Sequence, residues 1–82
     1  MSTNILNIYR EAHINLALSQ IKLTNYENAI DILSALLHYE PENVKAIYLR
    51  GKSQHAIREY ELALSDFKLA KELKPSETEL FD

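Results

Sequence analysis

The chain has no cysteine and no tryptophan, one glycine and two prolines among 82 residues. The missing cysteines exclude disulfide bridges, thiolate nucleophiles and cysteine metal sites together, and they fit a reducing compartment, so the cytoplasm is the expected location. One glycine cannot build a phosphate-cradling loop, and His13, His38 and His55 lack the spacing of a zinc site. No apolar run approaches the roughly 18 residues that span a bilayer, and the start MSTNILNIYR has neither the basic region nor the apolar core of a secretory signal. A soluble chain without membrane contact is expected. Positive charge is short too: nine Lys and Arg against twelve Asp and Glu give a formal charge of -3, the wrong sign for a general nucleic-acid binder. Any basic site must be local. Ser19 and Ser53 have no histidine arranged beside them in the pattern of a nucleophile and its base, so no enzymatic role and no cofactor are expected.

What is present is a sequence rich in Leu, Ile, Ala, Lys and Glu, which reads as helix almost throughout, with Pro41 and Pro75 as the main interruptions. Those prolines lie 34 residues apart. The same shift aligns Ala12 with Ala46, Ser19 with Ser53, Gln20 with Gln54, Tyr26 with Tyr60, Glu27 with Glu61 and Ala29 with Ala63. It also pairs Ala17 with Gly51, Leu23 with Ile57, Ile30 with Leu64, and Leu33 with Phe67, which are small or apolar in both copies. The chain is therefore one small domain of two repeats, 10–43 and 44–77, each a pair of helices. Predicted helices run over about 4–23, 26–39, 44–57 and 60–73. In TNYE, Thr24 and Glu27 form a candidate capping box for the second helix; Ser76 and Glu79 form another, opening a truncated capping helix at 76–82.

Helix pairs of this kind bury their apolar stripes only by stacking, and two repeats are few. The first helix starts ahead of its repeat, and Ile5, Leu6, Ile8 and Tyr9 give that extension an apolar side. It is expected to pack on the chain's own end or on another copy, which makes homo-oligomerisation through the terminal repeat faces a live alternative function.

A 34-residue helix-turn-helix period with Ala-x-x-x-Phe and a closing Pro resembles the tetratricopeptide repeat; here the motif reads ALSDF at 63–67 with Pro75 and AIDIL at 29–33 with Pro41. The usual Trp place holds His13 and Ile47, the Leu place Leu16 and Arg50, the Gly place Ala17 and Gly51, and the Tyr place Gln20 and Gln54. The resemblance implies an all-α solenoid of helical hairpins that binds proteins or peptides. It assigns Gly51 to a close approach of the two helices of its hairpin, where a side chain would not fit.

Family geometry further implies a concave face lined by Glu11, Ile14, Asn15, Leu18, Ile21 and Lys22 from the first repeat. From the second come Lys45, Tyr48, Leu49, Lys52, His55 and Ala56. In co-chaperones of this family, a carboxylate clamp grips the acidic C-terminus of heat-shock chaperones. Asn15 and Lys45 fall on its Asn and Lys places, while Leu49 occupies an Arg place and Glu11 faces the same groove. Arg50, one position along, points about 100° round the helix and is not expected to replace the missing Arg. The phrases INLALSQIKL and NVKAIYLRGKS are also similar to helices of large immunophilins and aryl-hydrocarbon-receptor-interacting proteins. The expected function is a co-chaperone-like interaction module that binds an extended acidic peptide through Asn15, Lys45, Ile14, Leu18, Tyr48, Leu49 and Lys52. For Lys45 the competing reading is a solvated lysine in a first turn; Asn15, mid-helix and without a cap to explain it, points more strongly to a groove role.

Overall fold

The computed structural model describes residues 5–74 and contains four α-helices among them: α1 Ile5–Lys22, α2 Tyr26–Tyr39, α3 Val44–Ala56 and α4 Tyr60–Leu73. The described residues are all-α and fold as two helical hairpins in series. Successive helices pack on each other, α1 on α2, α2 on α3 and α3 on α4. The 34-residue phase seen in sequence is kept in space: α1 and α3 end 34 residues apart, and α2 and α4 coincide at both ends under the same shift. The predicted capping helix at 76–82 lies outside the described residues.

The turns inside the two hairpins are duplicates. The amides of Thr24 and Asn25 donate to the carbonyls of Ile21 and Gln20, at 2.9 and 2.8 Å. Those of Arg58 and Glu59 donate to His55 and Gln54, at 3.0 and 2.8 Å. This pairing is the Schellman closure of a helix C-terminus, and it requires a left-handed residue at the position just past the helix. Thr24 (φ 60°) and Arg58 (φ 69°) occupy that position. The expected capping box is therefore corrected: Thr24 closes α1 rather than opening α2. Asn25 is the N-cap of α2, and it makes no side-chain cap bond. A β-branched threonine in this conformation carries strain that glycine would not. By contrast α3 is capped from its side chain, with Asn43 Oδ1 accepting from the amide of Ala46 at 3.0 Å.

The core joins both hairpins: Ile14 and Ala17 of α1, Leu33, Leu36 and Leu37 of α2, Val44, Ala46 and Ile47 of α3, and Ala70 of α4. Ala17 and Gly51 are both buried, as the repeat phase requires. A Cβ on Gly51 would lie 2.7 Å from Cε1 and 2.9 Å from Cδ1 of Phe67. The glycine is thus a packing residue that admits an aromatic ring from α4.

The Leu place of the repeat behaves differently in the two copies. Leu16 is half-exposed, whereas Arg50 is turned inward onto Asp66: Nε donates to Oδ2 at 2.7 Å and Nη2 to Oδ1 at 2.9 Å. Arg50 Nη1 also donates to Ser34 Oγ at 3.2 Å, and Gln54 Nε2 donates to Asp66 Oδ2 at 2.8 Å. Asp66 is buried, so its charge is tolerated only because these donors surround it. Hydrogen bonding to the Asp66 carboxylate raises the Arg50 pKa further above its already high ordinary value.

The apolar extension of α1 finds little cover among the described residues. Ile5 is 82% exposed and Ile8 55%. Tyr9 alone turns inward, with its ring 5.3 Å from Tyr39 edge to face and 4.0 Å from His13.

Candidate functional site

Arg10, Glu11, Ile14 and Asn15 of α1 and Lys45 of α3 line one open cleft of about 310 Å³ between the first helices of the two hairpins. The spacing follows from the fold: 11, 14 and 15 share one side of α1, and Lys45 begins α3, which α2 holds in place through Val44, Ala46 and Ile47. The two polar residues singled out in sequence, Asn15 and Lys45, are thus brought to one site. Both are exposed, and neither side chain makes a hydrogen bond or ion pair with the described residues. The cleft offers an amide with donors and acceptor and an ammonium with three donors, the equipment for holding a carboxylate and a peptide main chain.

The apolar members of the predicted site are less free. Ile14 belongs to the core, only 8% exposed, and reaches the cleft as its floor. Leu18, Tyr48 and Leu49 are half-buried and pack against the same core. They therefore help hold the helices together, and what each leaves exposed is only part of its side chain. Tyr48 sits 5.5 Å from the Phe67 ring, and Lys52 Nζ lies 5.7 Å from the Tyr48 ring centroid, in cation–π range. Lys52 is exposed and carries its charge over that ring. Tyr60 is 56% exposed, with its ring edge-on to His55.

Leu49 at the Arg place packs on the core, and Arg50 is engaged by Asp66 and Ser34 away from the cleft. The cation one residue along is therefore turned away from the cleft by its packing as well as by its direction on the helix.

Sequence reasoning passed over Arg10. Its Nε donates to Glu40 Oε1 at 2.8 Å and Oε2 at 3.0 Å, its Nη2 also donates to Glu40, and its Nη1 donates to Asn7 Oδ1 at 2.6 Å. Glu40 accepts a further bond from Asn43 Nδ2 at 3.0 Å. Hydrogen bonding from Arg10 holds the Glu40 carboxyl below the usual carboxylate range, against the opposing effect of burial and with help from Asn43. Arg10 also forms the wall between the Asn15 cleft and a second one of about 450 Å³ lined by Glu40, Pro41, Glu42 and Asn43. Neither residue recurs under the 34-residue shift, which places Val44 and Lys74 there, so the repeat pattern gave no signal for the pair.

Antiparallel helix pairs in register, with an open polar cleft between their first helices and no helix among the described residues long and apolar enough to cross a membrane, define a helical-repeat protein-interaction module. Residues 10–62 match the family described as the Fis1 C-terminal tetratricopeptide repeat, and the chain belongs to this tetratricopeptide-repeat family. It is 34% identical over 68 residues to peptidyl-prolyl cis-trans isomerase D of Eremothecium gossypii, covering 79% of this chain and 18% of that protein. It is 32% identical over 65 residues to peptidyl-prolyl cis-trans isomerase FKBP4 of Homo sapiens, covering 79% of this chain and 14% of that one. The chain spans less than a fifth of the length of these relatives, and the match falls on their tetratricopeptide-repeat region. No solved structure gives a significant match.

Proposed function

We propose that the chain is a co-chaperone-like module of the cytoplasm that binds the acidic C-terminal tail of a heat-shock chaperone as an extended peptide. The observation that carries this reading is the meeting of Asn15 and Lys45 in one cleft, neither side chain having a hydrogen-bond or ion-pair partner among the described residues. Asn15 holds the peptide main chain and Lys45 pairs with a ligand carboxylate. Ile14 forms the apolar floor, and Leu18, Tyr48 and Leu49 support it from the core. Lys52, further along α3, attracts a longer acidic segment. With Leu49 at an Arg place and Glu11 in the cleft, the clamp is partial and the affinity modest. Each charge-assisted hydrogen bond contributes roughly 1.5–3 kcal/mol, so a lost Arg weakens a peptide by about tenfold to a hundredfold. The relatives named as peptidyl-prolyl isomerases support a co-chaperone setting.

Calorimetric titration with an acidic peptide ending in a free carboxylate tests the reading. Asn15→Ala and Lys45→Ala should each weaken binding severalfold to tenfold; variants that bind as tightly as the parent refute it.

A second reading has its own support. Ile5, Ile8 and Leu16 of α1 and Leu23 just past its end are 82%, 55%, 51% and 64% exposed, an apolar face that a second copy could cover. Under that reading the chain is a scaffold that self-associates and the cleft is idle. Sedimentation at high concentration distinguishes the two, since a monomer throughout excludes self-association.

A further inference from the structure

Arg10 is the cation in the cleft best suited to a carboxylate, because a guanidinium can present two parallel donors where an ammonium presents a point charge. It is already taken. Glu40 engages both Nε and Nη2, and Glu40 is itself held by Asn43 and covered to the point that its side chain is 15% exposed, against 37% for Arg10. An acceptor that is anchored and covered keeps a donor that is still reachable. We propose that Glu40 is an internal competitor for carboxylate ligands, occupying Arg10 and thereby setting how acidic a peptide the cleft accepts. This inference rests on the acidic-peptide reading of the cleft.

Charge decides the effect. Arg10 and Lys45 bring two positive charges to the site, and Glu11 and Glu40 bring two negative ones, so an incoming carboxylate meets no net attraction. Neutralising Glu40 leaves one positive charge uncompensated and releases the forked donors of Arg10 toward the cleft they border. Glutamine at position 40 keeps the size of the side chain and one carbonyl, which still accepts from Asn43, while its NH2 group cannot accept from the Arg10 fork, so the local frame persists while the charge leaves. Glu40 thus determines specificity without touching the ligand: it disfavours weakly acidic peptides, which cannot outcompete it, and admits only those whose several carboxylates can share Lys45 and Arg10.

The test is calorimetric titration of the full chain with an acidic peptide carrying a free C-terminal carboxylate, using the parent, Glu40→Gln, Glu40→Gln with Arg10→Gln, and Lys45→Ala, each first shown to be folded by circular dichroism. Glu40→Gln should bind about tenfold more tightly than the parent, with a steeper salt dependence, and adding Arg10→Gln should remove the gain. Glu40→Ala should shift affinity in the same direction by a second route. If neither substitution at Glu40 tightens binding, or the gain survives Arg10→Gln, the inference is overturned, while a loss on Lys45→Ala leaves the cleft reading standing. If neither the parent nor Glu40→Gln binds the peptide, the cleft reading fails and the inference with it.

Discussion

Gly51→Ala places two effects of similar size in opposition, and the structure decides between them. Replacing a mid-helix glycine with alanine ordinarily stabilises a helix by about 1 kcal/mol. Here the added methyl would sit 2.7, 2.9 and 3.3 Å from three carbons of the Phe67 ring, against the roughly 3.5–4.0 Å of an unstrained carbon contact. The ring must retreat by most of an ångström, yet Tyr48 stands beside it at 5.5 Å between centroids. Overpacking of this kind costs about 1–3 kcal/mol, so the net change should be a loss of about 1 kcal/mol. In a domain this small that lowers Tm by about 4–8 °C. The first hairpin shows how the conflict is resolved. At the equivalent positions it carries Ala17 and Leu33, both fully buried. Gly51→Ala combined with Phe67→Leu reproduces that pair in the second hairpin, and the double variant should be more stable than the two single effects summed, by roughly 1 kcal/mol. Thermal unfolding followed by circular dichroism measures all three variants. A single Gly51→Ala variant that melts above the parent, or a strictly additive double variant, would refute the packing argument.

The same comparison between hairpins applies to the buried ion pair. Asp66→Ala strands Arg50 and the buried Gln54 amide and should cost about 3 kcal/mol, the lower end for a broken pair because Arg50 is a quarter exposed. Replacing both partners by the residues of the first hairpin, Arg50→Leu with Asp66→Ile after Leu16 and Ile32, should cost far less, and denaturant midpoints compare the two. For Glu40 the sign follows from its depressed pKa. The Arg10 pairing contributes stability above the ordinary glutamate range, near pH 4, and loses it as pH falls through the lower folded value. The Tm gap between the parent and Glu40→Gln should therefore be widest at neutral pH and close below about pH 4. A gap independent of pH would show that the pairing is not what the substitution removes.

Much of this protein was legible without coordinates because the signals are local and repeated. Helix propensity, two prolines and a 34-residue self-alignment place four helices to within a residue or so of where they fold, since a repeat fixes phase twice over. The close approach at Gly51 follows from its equivalence with Ala17. The hairpin turn was misread because TNYE satisfies a capping-box pattern, while the actual Schellman closure needs a left-handed residue and here uses threonine and arginine in place of glycine. No residue-type rule points to that choice.

The candidate site divides along the same line. Asn15 and Lys45 reach one cleft because repeat geometry, encoded in the spacing, aligns the first helices of the hairpins. The depth of that cleft and the availability of its cations are non-local quantities. Leu18 is half-buried where α1 packs on α2, Tyr48 and Leu49 where α2 and α4 pack on α3, and Arg50 is turned from the cleft because Asp66, sixteen residues later, is buried opposite it. Arg10 is held by a glutamate thirty residues away that meets it only once α1 and α2 fold antiparallel. The sequence by itself determined the helices, their phase and the class of protein, because helix formation and repeat stacking depend on neighbours a few residues apart. Which charges stand open to a ligand was decided by the tertiary structure alone, because pairing depends on distances in space that the chain sets only when it closes on itself.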